Sequence, residues 1–96
     1  MRAAIVIGHP RPLRRVVYVS GVTAAAVDFR VRPNETQVYV NGVLRGTCDD
    51  FDGYPQKLYL RPGVHSLRLV TPDGASIEQD VRLVAGTEID IDLDLR

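Results

Sequence analysis

The stretch "RPNETQVYVNGVLRG", residues 32–46, decides how the chain reads. Pro33 and Asn34 end one strand, and "TQVYV" begins another by alternating outward and inward side chains. Asn41-Gly42 then supplies the two positive-φ residues that a type I′ turn requires, so the chain reverses into "VLRG" as a tight hairpin. Gly46 marks a bulge or the end of that strand.

The same period of two extends in both directions. Upstream, "VDFRVR" puts Val27, Phe29 and Val31 on one face, with Asp28, Arg30 and Arg32 on the other. Downstream, "KLYL" directs Leu58 and Leu60 inward, Arg61-Pro62-Gly63 turns the chain, and "VHSLRLV" returns with Leu67 and Leu69 inward. Pro72-Asp73-Gly74 and Ala85-Gly86-Thr87 are further turns. Between them, "SIEQDVRLV" sets Ile77, Val81 and Leu83 against Glu78, Asp80 and Arg82. The final run, "EIDIDLDLR", opposes Ile89, Ile91, Leu93 and Leu95 to Glu88, Asp90, Asp92 and Asp94. No run carries a helical period. The expected fold is all-β, a small antiparallel β-sandwich of about seven strands with an extended N-terminal arm.

The arm is residues 1–26 and the sandwich residues 27–96. Within the arm, "RRVVYVS" has strong β propensity: Arg14, Arg15, Val16, Val17, Tyr18 and Val19 form a strand able to pair with its own sheet or with a neighbour's. Gly21 to Ala26 reads as a small-residue linker. Ala3 to Gly8 is too short for the apolar core of a secretory signal, and no stretch is long enough to span a membrane.

At 96 residues and 45% apolar composition the chain supports a single core. Its net charge of zero is unevenly placed: residues 1–32 hold six arginines against one acid, and the remainder six bases against eleven acids. A basic head and an acidic body attract each other within one molecule or between two. The acidic body and a pI near 6.7 weigh against a nucleic-acid partner. Cys48 is alone and is followed by Asp49 and Asp50, which disfavours a thiolate, so it reads as a passive small side chain.

From Val27 to Leu95 the order of signals resembles the PEGA domain, a bacterial and archaeal module. The matching residues are Pro33, Val38-Tyr39-Val40-Asn41-Gly42, Gly46-Thr47, Leu58 to Leu60, Pro62-Gly63, His65-Ser66-Leu67, Gly74 and Gly86. "PNET" stands where the family's naming motif has Pro-Glu-Gly-Ala, so Asn34 would take the glycine's place in that turn. The resemblance implies a β-sandwich of cell-envelope or secreted proteins, with binding or scaffolding roles and neither catalytic residues nor cofactors.

Candidate sites are few. His9 and His65 are the two histidines, and no serine stands in a nucleophile context. The Asp49, Asp50, Asp52 and Tyr54 loop is the one place for a ligand. Its three carboxylates offer a weak calcium site, and a solvated turn is the simpler reading. Asp90, Asp92 and Asp94 read as charges protecting an edge strand, or as partners of Arg14, Arg15, Arg30 or Arg32. Asn41, Gly42, Pro62 and Gly63 define turns. Two functions are expected to compete. The leading one is a non-enzymatic envelope or extracellular module that self-associates, or binds another envelope protein, through its arm and sheet edges. The other is a cell-wall carbohydrate module using the Asp49–Tyr54 loop with Tyr39, Tyr54 and Tyr59.

Overall fold

A computed structural model describes residues 6–51 and 57–95. They form an all-β sandwich of two sheets, with a separate two-stranded hairpin over residues 18–23 and a single 3₁₀ turn at Cys48–Phe51. The strands are β1 (Val6–Ile7), β2 (Arg11–Pro12), β3 (Tyr18–Val19), β4 (Val22–Thr23), β5 (Ala25–Arg32), β6 (Gln37–Val40), β7 (Val43–Thr47), β8 (Leu58–Leu60), β9 (Gly63–Val70), β10 (Ser76–Leu83) and β11 (Thr87–Asp94). The seven expected strands are β5 to β11, and the extra four are two-residue pairings in the N-terminal segment.

One sheet runs β1-β11-β5-β8, with β2 also on β11; the other runs β10-β9-β6-β7. Alternation supplies the core between them. Val27, Phe29, Val31, Leu58, Leu60, Ile89 and Ile91 come from the first sheet, and Val38, Val40, Leu67, Leu69, Val81 and Leu83 from the second, all buried. Phe51 from the 3₁₀ turn packs on Phe29, ring centroids 6.4 Å apart.

The hairpin at Asn41-Gly42 forms as the sequence requires, with φ of 51° and 83°. Asn41 also fastens β6 to β9. Its backbone N–H donates to Ser66 O (2.8 Å) and its Oδ1 accepts from Ser66 N–H (2.9 Å). His65 closes the corner: Nε2 lies 2.7 Å from Arg61 O and must donate there, leaving Nδ1 to accept from the Asn41 amide at 2.9 Å. His65 is thus a structural residue.

Three expectations are corrected. First, Gly21 to Ala26 is not a linker: Ala24, Ala25 and Ala26 are at most 1% exposed, β5 begins at Ala25, and the expected boundary at residue 26 falls inside that strand. Small side chains serve there because the strand is packed on both faces. Second, the strand expected over Arg14–Ser20 is only Tyr18–Val19, because Ser20 and Gly21, both at positive φ, turn the chain back into β4. Third, β11 is not a protected edge. It lies between β5 and the β1/β2 segment, and its pairing with β5 is parallel, in register from Glu88↔Ala26 to Asp94↔Arg32. That direction follows from the path: β10 arrives at the end of the sandwich where β5 starts, so β11 crosses there and runs alongside β5.

Gly46 sits at a bulge, where Val38 pairs with Gly46 but Tyr39 with Leu44. Its φ is 150°, and a Cβ there would lie 2.7 Å from Asp50 Oδ2 and 3.1 Å from Phe51 Cε2. Gly46→Ala is therefore expected to destabilise the domain by roughly 1–3 kcal/mol, as overpacking does. Urea unfolding would measure it, and an unchanged midpoint would contradict this packing.

Candidate functional site

The outer face of the first sheet carries Asp28 on β5 and, on β11, Asp90 directly opposite it and Glu88 two residues earlier, opposite Ala26. Alternation alone would leave these acids in water. Instead they are 4%, 6% and 8% exposed. The N-terminal segment runs antiparallel along β11, pairing Val6↔Asp92, Ile7↔Ile91, Arg11↔Glu88 and Pro12↔Thr87. Gly8 N–H donates to Asp90 O and Leu13 N–H to Gly86 O, both at 2.9 Å.

Arg11 lays its guanidinium over the three acids. It donates twice to Asp90, at 2.6 and 3.1 Å, and lies 3.5 Å from Glu88 and 3.9 Å from Asp28. Lys57 pairs with Glu88. The bidentate bond from Arg11 holds the Asp90 carboxyl below the usual carboxylate range. Asp28 goes the other way: burial pushes its pKa up, against the pull of Lys57, and its Oδ1 has no hydrogen-bond partner. Two cations do not satisfy three buried carboxylates.

The strand paths also sort the exposed residues between the two ends of the sandwich. The β6–β7, β8–β9 and β10–β11 connections and the β3–β4 hairpin share one end; the β5–β6 loop, the 3₁₀ turn, the β9–β10 turn and the close of β11 share the other. At the first end stand Arg14, Arg15, Arg45, Arg61 and Arg82, all exposed. The exposed large hydrophobics gather there too: Val16, Tyr18, Val43, Leu44, Val64 and Val84, between 49% and 69% exposed. The nearest exposed acid among the described residues is Asp80, three positions in from the end of β10. The opposite end exposes Glu35, Asp49, Asp50, Asp73, Asp92 and Asp94, with Arg30 and Arg32.

The expected ligand loop is only partly described. Asp49 and Asp50 lie in the 3₁₀ turn, whereas Asp52 and Tyr54 are outside the described residues. Asp50 accepts from Thr47 N–H at 2.9 Å and Asp49 from the Asn34 amide at 3.3 Å, so both tie down the turn. Among the described residues no group of three or more histidine, cysteine, aspartate or glutamate side chains is placed to hold a metal ion. Cys48 is buried, which pushes its thiol up to about 12. Tyr39 lies under Arg68, 5.8 Å from centroid to guanidinium carbon, and Tyr59 is half-buried. Pro62 and Gly63 sit where β8 hands over to β9, at the arginine-rich end.

Of the arginines singled out from sequence, Arg14 and Arg15 stand at the arginine-rich end, whereas Arg30 and Arg32 lie opposite Asp92 and Asp94 across the β5–β11 ladder; Arg11 and Lys57 are the cations that meet Asp90 and Glu88. The exposed apolar residues had a legible signal. Val64 falls on the outward parity of β9, and Val43-Leu44 and Leu83-Val84 are apolar pairs, of which alternation can bury only one member. No helix among the described residues is long and apolar enough to cross a membrane. Comparison with protein-family models, with curated proteins and with solved structures finds no match to this chain.

The carboxylate cluster has a pH signature. Asp28 binds its proton more tightly folded than unfolded, so its buried charge costs stability at neutral pH, and the cost is relieved as pH falls towards the ordinary 3.8. Asp90 has the opposite sign: it contributes stability above 3.8 and loses it as pH falls further. Stability is expected to rise gently from neutral pH towards about 4 and then fall. Asp28→Asn should raise stability at pH 7 by roughly 1–3 kcal/mol and abolish the rise, leaving the acid fall intact. Thermal unfolding across pH measures this, and a destabilised Asp28→Asn at neutral pH would contradict it.

Proposed function

We propose that the chain is a non-enzymatic β-sandwich module of the PEGA type, acting in the cell envelope or outside the cell as a unit of assembly. Its working surface is the arginine-rich, apolar end. The observation that carries this reading is the gathering of Val16, Tyr18, Val43, Leu44, Val64 and Val84 at one end among five exposed arginines. Scattered exposed hydrophobics need no explanation, but six of them at one end of the fold, among charged residues, favour an interaction surface there. The resemblance from Val27 to Leu95 supports the family, and a structural role for His65 and a neutral, buried Cys48 support a function without covalent or acid–base chemistry.

Donation of the N-terminal strand is the competing route to assembly, in which the arm pairs with β11 of a neighbour in place of its own. The arm's ladder with β11 is short, residues 8–12 are exposed, and the same edge would serve a neighbour's arm equally well. The donated segment would then be Val6–Pro12 rather than Arg14–Val19, because the ladder lies there.

The chain is expected to gain mass with concentration in light scattering after size exclusion. The triple variant Val43→Ser, Val64→Ser, Val84→Ser should fold normally and stay at the 10.6 kDa of one chain. A wild-type mass fixed at one chain up to millimolar concentration would contradict the assembly reading.

A further inference from the structure

Resting on that reading, we propose that the partner of the arginine-rich end is the acidic end of a second copy, so that chains join head to tail. Both halves of the contact are present on one molecule. The first end presents Arg45, Arg61 and Arg82 beside Val43, Val64 and Val84. The opposite end presents Glu35, Asp49, Asp50 and Asp73, none of whose charges is spent in an ion pair with a described residue.

The shapes correspond as well as the charges. The arginine-rich end is built from the β3–β4 and β6–β7 hairpin tips and the two crossings between the sheets, all carrying exposed apolar side chains. The acidic end has an open groove of about 450 Å³ between β5 and the 3₁₀ turn, lined by Phe29 and Val31 and by the charged residues Glu35, Asp49, Arg30 and Arg32. A valine or leucine from a tip can enter it while the arginines around the tip meet the acids of this end, which outnumber Arg30 and Arg32 there by six to two. Two arginine-rich ends repel each other, which disfavours a two-fold dimer through that surface.

The geometry makes the contact propagate. Eight-residue strands run about 26 Å, so with loops at both ends they lie along the 37 Å dimension of the molecule. The two surfaces therefore face opposite ways, and a heterologous contact between them extends a chain of subunits instead of closing a pair. An end face within the 24 × 23 Å cross-section buries at most about 1,100 Å² counting both partners, at the low edge of specific interfaces. The association is accordingly weak for one contact, dependent on concentration, and weakened by salt.

Two charge-reversed variants test this. Arg45→Glu/Arg61→Glu blocks one end, and Glu35→Arg/Asp49→Arg blocks the other. Each alone should remain monomeric with an unfolding temperature near wild type. An equal mixture should gain mass beyond the 10.6 kDa of one chain, because each variant keeps the end the other lacks and the two reversed ends also complement each other in charge. A wild type that associates while either variant associates equally well overturns the head-to-tail contact and leaves the assembly reading standing. So does a mixture that stays monomeric. A wild type that never associates removes both. A wild type that stays monomeric but sediments with phosphatidylglycerol vesicles, in a manner lost in Arg45→Glu/Arg61→Glu, would assign this end to an anionic membrane surface and overturn the proposal.

Discussion

The parallel pairing of β11 with β5 places three carboxylates on a face that the N-terminal segment then covers, and the rest of the first sheet depends on how that burial is compensated. Removing an ion from water costs several kcal/mol, and it is tolerated only with close, well-aligned partners. Arg11 supplies two charge-assisted bonds to Asp90, and Lys57 reaches Glu88 from the far side. The arrangement also fixes register. A shift of the arm by one residue would move Arg11 off Glu88 and Asp90 and turn its side chain to the other face of the ladder. A buried ionic cluster is weak evidence for net stability, and its better-attested use is to specify one alignment among several. Asp28 is the residue left over: it carries the cost of having three acids served by two cations.

That covering also determines which surfaces remain for function. With β11 central, the edges of the sandwich are β7 and β10 in one sheet and β8 and the β1/β2 segment in the other, together with the stretch of β5 beyond its short pairing with β8. The N-terminal segment, having run along β11, leaves Arg14 to Val19 at the end where the β6–β7 and β10–β11 turns lie. Charge is thus sorted by strand ends and not by sequence order: Arg45, Arg61 and Arg82 join Arg14 and Arg15 at one end, while Arg30 and Arg32 sit among the acids at the other. A neutral chain with opposite ends of opposite charge has little reason to repel its own copies and a defined direction in which to meet them.

The alternating runs made β5 to β11 legible, because a period of two needs only the local sequence and a core on one side. Asn41-Gly42 was legible for the same reason: positive φ at both positions is a local demand. What could not be read was adjacency between strands distant in the chain. "EIDIDLDLR" has the pattern of a half-exposed edge strand, and nothing within it records that Val6 to Pro12 lies along one side and β5 along the other. Glu88 and Asp90 obey the alternation; the water they were expected to face is replaced by Arg11. The three alanines before Val27 misled in the opposite way, since small residues suit a linker and a strand packed tightly on both faces equally well. Of the functional surface, the arginines were visible one by one, but their gathering with Val43, Val64 and Val84 follows only once the strand ends are placed.

The most direct test of this account is whether the N-terminal segment covers β11 of its own chain. In an equal mixture of uniformly labelled and unlabelled protein, isotope-filtered NMR separates contacts within a chain from contacts between chains. Contacts from Ile7, Gly8 and Arg11 to Asp90 and Ile91 are expected within one chain only, at every concentration. The same contacts appearing between chains would show that the arm belongs to a neighbour, and the covered central strand described here would then be a property of the assembly and not of the fold.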